Sequence, residues 1–419
     1  MEKSNSIYEV FSTNSIPLNY IQRKIDVIFI ENITHGNHVV VFGSSKQGKT
    51  SLRKYHLNES EYISLNCINT WGLEDIFKAI LKAVGFVQET EVKTQKVGKI
   101  SGGFSFWKIK ADVANERQVA RTGKVLEINT QDPNDIVSVL KEWGFDKKVI
   151  SIDDFHYLPE DVQKSFSTAL KVFHDNSSIK FLITAVWSGD RLSILNGDLQ
   201  GRITSINADI WDNNDLEELI HVSEALLNIK FHEEIIKELV EKSDGFVHMV
   251  QAIASNICAQ ENLYRTSSCM KLIGENISIQ NEVLRYVNLS SSRYRRLFQE
   301  LCTYTSETEY DFYRWLIFIL VCKIEEKYLK SGLYYKALYR LLVDNHPESS
   351  TFTGTTKRKF GSLLKKIVEA QTKINISPIV FDYDDNIEKL EIVDKSFLLW
   401  LKHQEKEELL DCIDMAHMK

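Results

Sequence analysis

Asn37-His38-Val39-Val40-Val41-Phe42-Gly43-Ser44-Ser45-Lys46-Gln47-Gly48-Lys49-Thr50-Ser51-Leu52-Arg53 is the stretch on which the fold turns. Residues 37–42 are a short β-branched apolar run that closes on glycine, and the residues from Lys49 onward can start a helix, so the segment reads as strand, glycine-rich turn and helix. Within it, residues 43–50 meet the pattern G-x-x-x-x-G-K-[S/T] in full, in the strand-to-helix context that the pattern requires. A polyphosphate needs several main-chain N–H groups pointing inward, and Gly43 and Gly48 supply the freedom to curl around it. Ser44, Ser45, Lys46, Gln47 and Ser51 complete the cradle. Lys49 is expected to neutralise the β and γ phosphates and Thr50 to offer its hydroxyl to Mg²⁺, while the new helix aims its positive end at the anion. The ligand expected is a nucleoside triphosphate with Mg²⁺, ATP ahead of GTP; the guanine-reading Asn-Lys-x-Asp pattern does not occur, which by itself does not decide between the bases.

Working outward, further short apolar runs lie at 62–65, 149–152 and 181–185, separated by amphipathic stretches at 73–84, 135–143 and 161–173. Such alternation predicts a parallel sheet covered on both faces. Between 89 and 132 the alternation fails around Gly102-Gly103, which reads as a hairpin-like insertion. Beyond Asp212 the reading is helical only, at 214–228, 233–242, 247–260 and 277–286. Two helices at 310–330 and 333–343, a basic helix at 355–370 and short runs at 378–383 and 389–393 follow, the outline of a winged helix. The fold class expected is therefore an α/β P-loop NTPase core (1–211), an α-helical lid (212–290) and a winged-helix-like C-terminal domain (291–419).

The strand at 149–152 closes on two carboxylates, Asp153 and Asp154. Buried strands seldom end in paired acids, and together with the glycine loop they point to phosphoryl chemistry. Asp153 is placed to hold Mg²⁺ through water, and Asp154 to polarise an attacking water as general base. His156, two residues on, reads as a structural or switch residue.

At this point the loop, the intervening strand and Asp153-Asp154-Phe155-His156 resemble the additional-strand P-loop ATPases, especially the STAND and origin-recognition-type AAA+ groups, over roughly residues 17–260. The resemblance implies a polar γ-phosphate sensor at the end of the next strand, where Thr184 stands; the alternative is an ordinary strand threonine. It implies an arginine before the fifth strand that reaches a neighbouring subunit's nucleotide, for which Arg202 is the candidate, against a plain surface arginine. Ser243-Asp244-Gly245-Phe246-Val247-His248 is similar to the lid-helix start that touches the phosphates, with His248 where the family often has proline or arginine. Pro17 to Arg23 resembles the box beside the adenine, making Tyr20 and Arg23 candidates for base contacts, with core packing as the other reading.

A chain of 419 residues with 43% hydrophobic and 26% charged content holds two or three domains without staples. The start Met1-Glu2-Lys3-Ser4-Asn5-Ser6 lacks a secretory pattern, the run at 315–322 is far short of the ~20 residues that span a bilayer, and the six cysteines lack metal-ligand spacing. A cytoplasmic protein without membrane partners is expected. The net charge of −7 argues against coating nucleic acid by bulk attraction, yet the basic helix carries Lys357, Arg358, Lys359, Lys365 and Lys366, which read either as a DNA-contacting face or as a solvated one. The leading functional expectation is a STAND/AAA+-type regulatory ATPase, a nucleotide-dependent switch in a homo-oligomer working with a protein partner or effector, antiphage defence being the setting that the resemblance suggests. The alternative is a DNA-binding AAA+ loader or a transposition or replication regulator. A small-molecule kinase fits poorly with a long helical lid.

Overall fold

The computed structural model describes residues 4–12, 16–88, 104–109, 125–145, 149–187, 191–304 and 310–415. The chain forms two compact units.

One unit comprises Gln22–Phe42 and Lys49–Ala208. Its strands, in chain order, are β1 (His38–Phe42), β2 (Tyr62–Asn66), β3 (Phe86–Gln88), β4 (Phe104–Ile109), β5 (Val125–Asn129), β6 (Val149–Asp153), β7 (Lys180–Ala185) and β8 (Ile203–Asn207). Five of them build one sheet in the order β2-β6-β7-β1-β8, every pair parallel. Every residue of β1 is buried, as a strand covered on both faces requires. Alternate side chains divide between the faces. Val40 and Phe42 join the core beneath the helices Leu73–Ala83, Pro133–Glu142 and Glu160–Asn176, whereas Val39 and Val41 pack with Ile25, Phe29 and Ile33 of Lys24–His35 and Leu52 of Lys49–His56. On the first face, Phe166 and Phe173 meet Phe181 edge-on at ring separations of 5.4 and 4.9 Å. β7 lies between β1 and β6, so the strand before the glycine loop and the strand ending in the acidic pair are separated by one strand, the arrangement of the additional-strand P-loop class.

Where a hairpin was expected, β3, β4 and β5 form a three-stranded antiparallel sheet in chain order, with Trp107 wholly buried; Gly102-Gly103 lie outside the described residues.

The other unit comprises Met1–Ile21, Gly43–Gly48 and Asp209–Lys419. It holds the helices Asn213–Leu227, Glu233–Ser243, Val247–Gln260 and Ile279–Asn288. The expectation of a strand-free region is corrected, because β9 (Ile229–Phe231) and β10 (Lys271–Ile273) form a parallel pair. Three-residue strands are too short to show a period of two. The helix expected over 310–330 is two, Phe312–Cys322 and Glu326–Ser331, and residues 333–334, read as a helix start, form β11 (Leu333–Tyr334). The helices Tyr335–Asn345, Gly354–Lys365 and Ile367–Lys373 lead to β12 (Phe381–Asp384) and β13 (Lys389–Ile392), which form an antiparallel sheet ordered β11-β13-β12. Helix, strand, three helices and a hairpin returning beside the first strand make a winged-helix-like arrangement. Gln371, buried, fastens it, donating to the Phe381 carbonyl at 2.7 Å and accepting from the amides of Val380 and Phe381. Among the described residues no helix is long and apolar enough to cross a membrane.

Candidate nucleotide site

The loop of residues 43–48 owes its shape to three residues in the left-handed region, Gly43 (φ +133°), Lys46 (φ +65°) and Gly48 (φ +84°). Switching between left- and right-handed residues turns main-chain N–H groups toward one concave side, the geometry in which anions are held. Gly43 is also sterically required: a Cβ there would lie 2.9 Å from Oδ1 of Asp209. That carboxylate accepts from the amide of Ser44 at 2.8 Å and from its hydroxyl at 3.0 Å. Gln47, fully buried, donates to the Gly245 carbonyl at 3.2 Å, and the Trp211 indole donates to the Gln47 carbonyl at 3.4 Å. Lys395, the first residue of the helix Lys395–Lys402, donates to the carbonyls of Asp209 (3.2 Å) and Gly245 (3.4 Å), and burial holds its pKa below the usual lysine range. In the same unit, Nδ1 of His248 lies 2.7 Å from the Tyr286 hydroxyl, and burial, with the nearby charge of Lys46, lowers the His248 pKa to about 4. His248 is therefore neutral at pH 7. Tyr20 is half-buried, its amide donating to the Pro17 carbonyl at 3.1 Å.

In the sheet-bearing unit, Lys49 is half-buried, Thr50 exposed and Ser51 half-buried in the first turn of Lys49–His56. The two carboxylates at the end of β6 are held differently. Asp153 accepts on Oδ1 from the Thr184 hydroxyl at 2.9 Å, and on Oδ2 from Ser64 at 3.1 Å and from the Arg53 guanidinium at 2.5 Å. Asp154 is exposed and adopts φ +59°, a conformation that Asp tolerates better than most residues. Its pKa is raised by surrounding protein that displaces water and by the charge of Asp153, with Lys49 pulling the other way. His156 is buried; its Nδ1 accepts from the Val186 amide at 3.3 Å, so Nε2 carries the proton. Burial, Lys49 and Arg191 depress its pKa to about 3, which makes it a structural neutral imidazole.

Thr184 thus spends its proton on Asp153. Arg202 immediately precedes β8, half-exposed, with Nε on Asp175 at 3.0 Å and Nη1 on the Asp198 carbonyl at 2.7 Å. Arg23 is buried, donating to the Ala208 carbonyl at 3.3 Å. Of the basic helix, Lys357, Arg358, Lys359, Lys365 and Lys366 are all exposed, Lys365 pairing with Asp385 at 2.7 Å and Lys357 lying over the rings of Tyr335 and Tyr339.

Sequence reasoning missed Arg53, Ser64 and Ser151 in one unit and Asp209 and Lys395 in the other. The readable signal was in the strands: Ser64 and Ser151 stand directly opposite each other, and each sits two residues before Asn66 and Asp153, which also pair. Ser151 is wholly buried, and a buried hydroxyl needs a partner. For a metal, the donors fit a hard cation, a hydroxyl from Thr50 and a carboxylate from Asp153. Among the described residues no group of three His, Cys, Asp or Glu side chains could hold a metal alone.

No known family model matches the chain, and no curated protein sequence is similar to it. Among solved structures the chain is similar to the Walker-type ATPase PABY2304 of Pyrococcus abyssi, at 13% identity and a TM-score of 0.50, over 94% of this chain and 99% of that one. It is also similar to the ORC1 protein of Aeropyrum pernix solved in complex with DNA (9% identity, TM-score 0.44, 96% and 98% covered) and to the RuvB Holliday junction branch migration motor of Thermotoga maritima (14%, 0.36, 91% and 93%). The first, together with the strand order β2-β6-β7-β1-β8, gives the chain the fold of a P-loop NTPase.

Proposed function

We propose that this chain binds ATP with Mg²⁺ and hydrolyses it, and that the nucleotide state switches a STAND/AAA+-type regulatory assembly. The observation that carries the reading is the loop of three left-handed residues that closes β1 and runs straight into Lys49 and Thr50, on a sheet whose β6 ends in Asp153-Asp154. In this reading the loop amides and Lys49 hold the β and γ phosphates, Thr50 and Asp153 orient the cation, and Asp154 takes the proton of the attacking water. Mg²⁺, when bound, offsets the charge of the terminal phosphates. The raised pKa of Asp154 makes it a stronger base than an ordinary carboxylate. Arg202 would serve a neighbouring subunit only after exchanging Asp175 and the Asp198 carbonyl for phosphate oxygens. Antiphage defence, with a separate effector, is the setting we assign to the switch.

The test is nucleotide binding and turnover by the purified protein. Lys49→Ala should abolish ATP binding, and unaltered affinity would remove the nucleotide reading. Mixed Arg202→Ala and Asp154→Asn protomers should regain part of the activity if sites are shared between subunits; assembly without rescue counts against that role. The exposed cations Lys357, Arg358 and Lys359 favour a second reading, a DNA-binding loader or regulator, for which salt-dependent duplex binding should weaken when all three are neutralised.

A further inference from the structure

Arg53 is a buried cation on the helix that follows the glycine loop, and its partners are two hydroxyls and a carboxylate. The residue is 5% exposed, and its guanidinium lies over the Tyr62 ring at 5.0 Å. Its Nη1 reaches the Ser64 hydroxyl at 3.1 Å, the Ser151 hydroxyl at 2.5 Å and Oδ2 of Asp153 at 2.5 Å. The opposed serines of β2 and β6 thus form a shelf that holds one positive charge against the carboxylate proposed to orient the metal. Asp153 has its other oxygen on Thr184 and is only 14% exposed. Arginine keeps its charge at every physiological pH, so this charge is permanent.

We propose that Arg53 is a positioning residue acting through Asp153: it fixes the carboxylate on β6 and, as a resident cation, sets how much divalent cation the nucleotide complex requires. This rests on the reading of Asp153 as a metal-orienting acid. A carboxylate already paired with a guanidinium attracts a dication less strongly than a free one, and the two positive charges repel at short range in a poorly solvated setting. The metal demand of the site therefore follows the charge at position 53, not merely the presence of a hydrogen-bond donor there.

The experiment titrates MgCl₂, from an EDTA-treated start, into full-length protein with a fluorescent ATP analogue, and reads the Mg²⁺ concentration that half-saturates binding. Arg53→Gln keeps a donor but loses the charge, and should lower that concentration about tenfold. Arg53→Lys keeps the charge and should behave like the wild type. In an Asp153→Asn background, Arg53→Gln should add no further shift. An unchanged or higher requirement for Arg53→Gln, or a Lys variant that follows Gln, overturns the proposal. Ser151→Ala tests it without touching the charge and covers the case in which Arg53→Gln does not fold: deprived of one acceptor, the guanidinium leans harder on Asp153, and the requirement should rise about two- to threefold, whereas no change overturns the proposal. A wild type that binds no nucleotide at any Mg²⁺ concentration overturns the underlying nucleotide reading as well, and is thereby told apart from a failure of the Arg53 inference alone.

Discussion

The glycine loop and the acidic strand end belong to the same expected chemistry, yet the fold holds them by opposite means. Residues 43–48 are braced largely by main chain: carbonyls of Asp209, Gly245 and Gln47 take the donors of Lys395, Gln47 and Trp211, and only Asp209 contributes a carboxylate, to Ser44. The end of β6 is instead held by side chains, an ion pair with Arg53 and two hydroxyl donors on Asp153. The difference teaches that a loop can be braced mostly through main-chain carbonyls, with one carboxylate and one ammonium behind it, whereas the Asp153 carboxylate is held by a guanidinium and hydroxyls. Asp154 then stands out beside Asp153, exposed, in the left-handed region and with a raised pKa.

That contrast can be broken at several points. Asp154→Asn should lower turnover by about 10²- to 10⁴-fold with ATP binding retained, measured by phosphate release against analogue binding; normal turnover would put the base elsewhere. Because the Asp154 pKa is raised, wild-type turnover should fall with acidification at a pH above that of an ordinary carboxylate. The sheet-bearing unit should itself be acid-sensitive through His38, whose Nε2 donates to the Leu170 carbonyl at 3.0 Å while Nδ1 accepts from the Phe181 amide at 3.1 Å. Burial lowers its pKa to about 4, so the unfolded chain takes up the proton first; stability is full above ~6.5 and is lost as pH falls toward 4, by roughly 3 kcal/mol. His38→Gln should flatten that part of the melting-temperature profile, and an unaltered slope would assign the acid loss to other groups. Gly43→Ala places a methyl against Asp209 at a φ that alanine resists, and should weaken nucleotide binding about 10- to 100-fold without changing its Mg²⁺ requirement. Smallest of all, Ser44→Ala removes one hydroxyl bond to Asp209 and should cost about 1 kcal/mol of binding. A larger loss would mean that side chains brace the loop as much as they do the strand end.

The same contrast explains what was legible in the sequence. The loop announces itself because glycine, lysine and threonine are needed at fixed spacing, and β6 announces itself because apolar residues run into two acids. Arg53 does not, since an arginine on a short helix with Lys54 and His56 beside it reads as a solvated face, and only the paired serines hint at a buried charge. Asp209 and Lys395 are invisible for a different reason: they act from positions 165 and more residues along the chain, where no local period reports them. The winged-helix-like outline was readable from helix and hairpin spacing, but β11, with two residues, and β9 and β10, with three each, carry too few residues to alternate visibly.

The strand order also dictates a timetable for biosynthesis. β1 leaves the ribosome before either of its neighbours, which pair Leu182 with Val39 and Ile203 with His38, so both of its edges stay bare until β7 has been made and one of them until residue 207. Long-range parallel pairing of this kind is slow to form. A ribosome stalled before β7 would therefore leave Val39, Val40 and Val41 as an unpaired apolar edge of the kind that pairs with other chains.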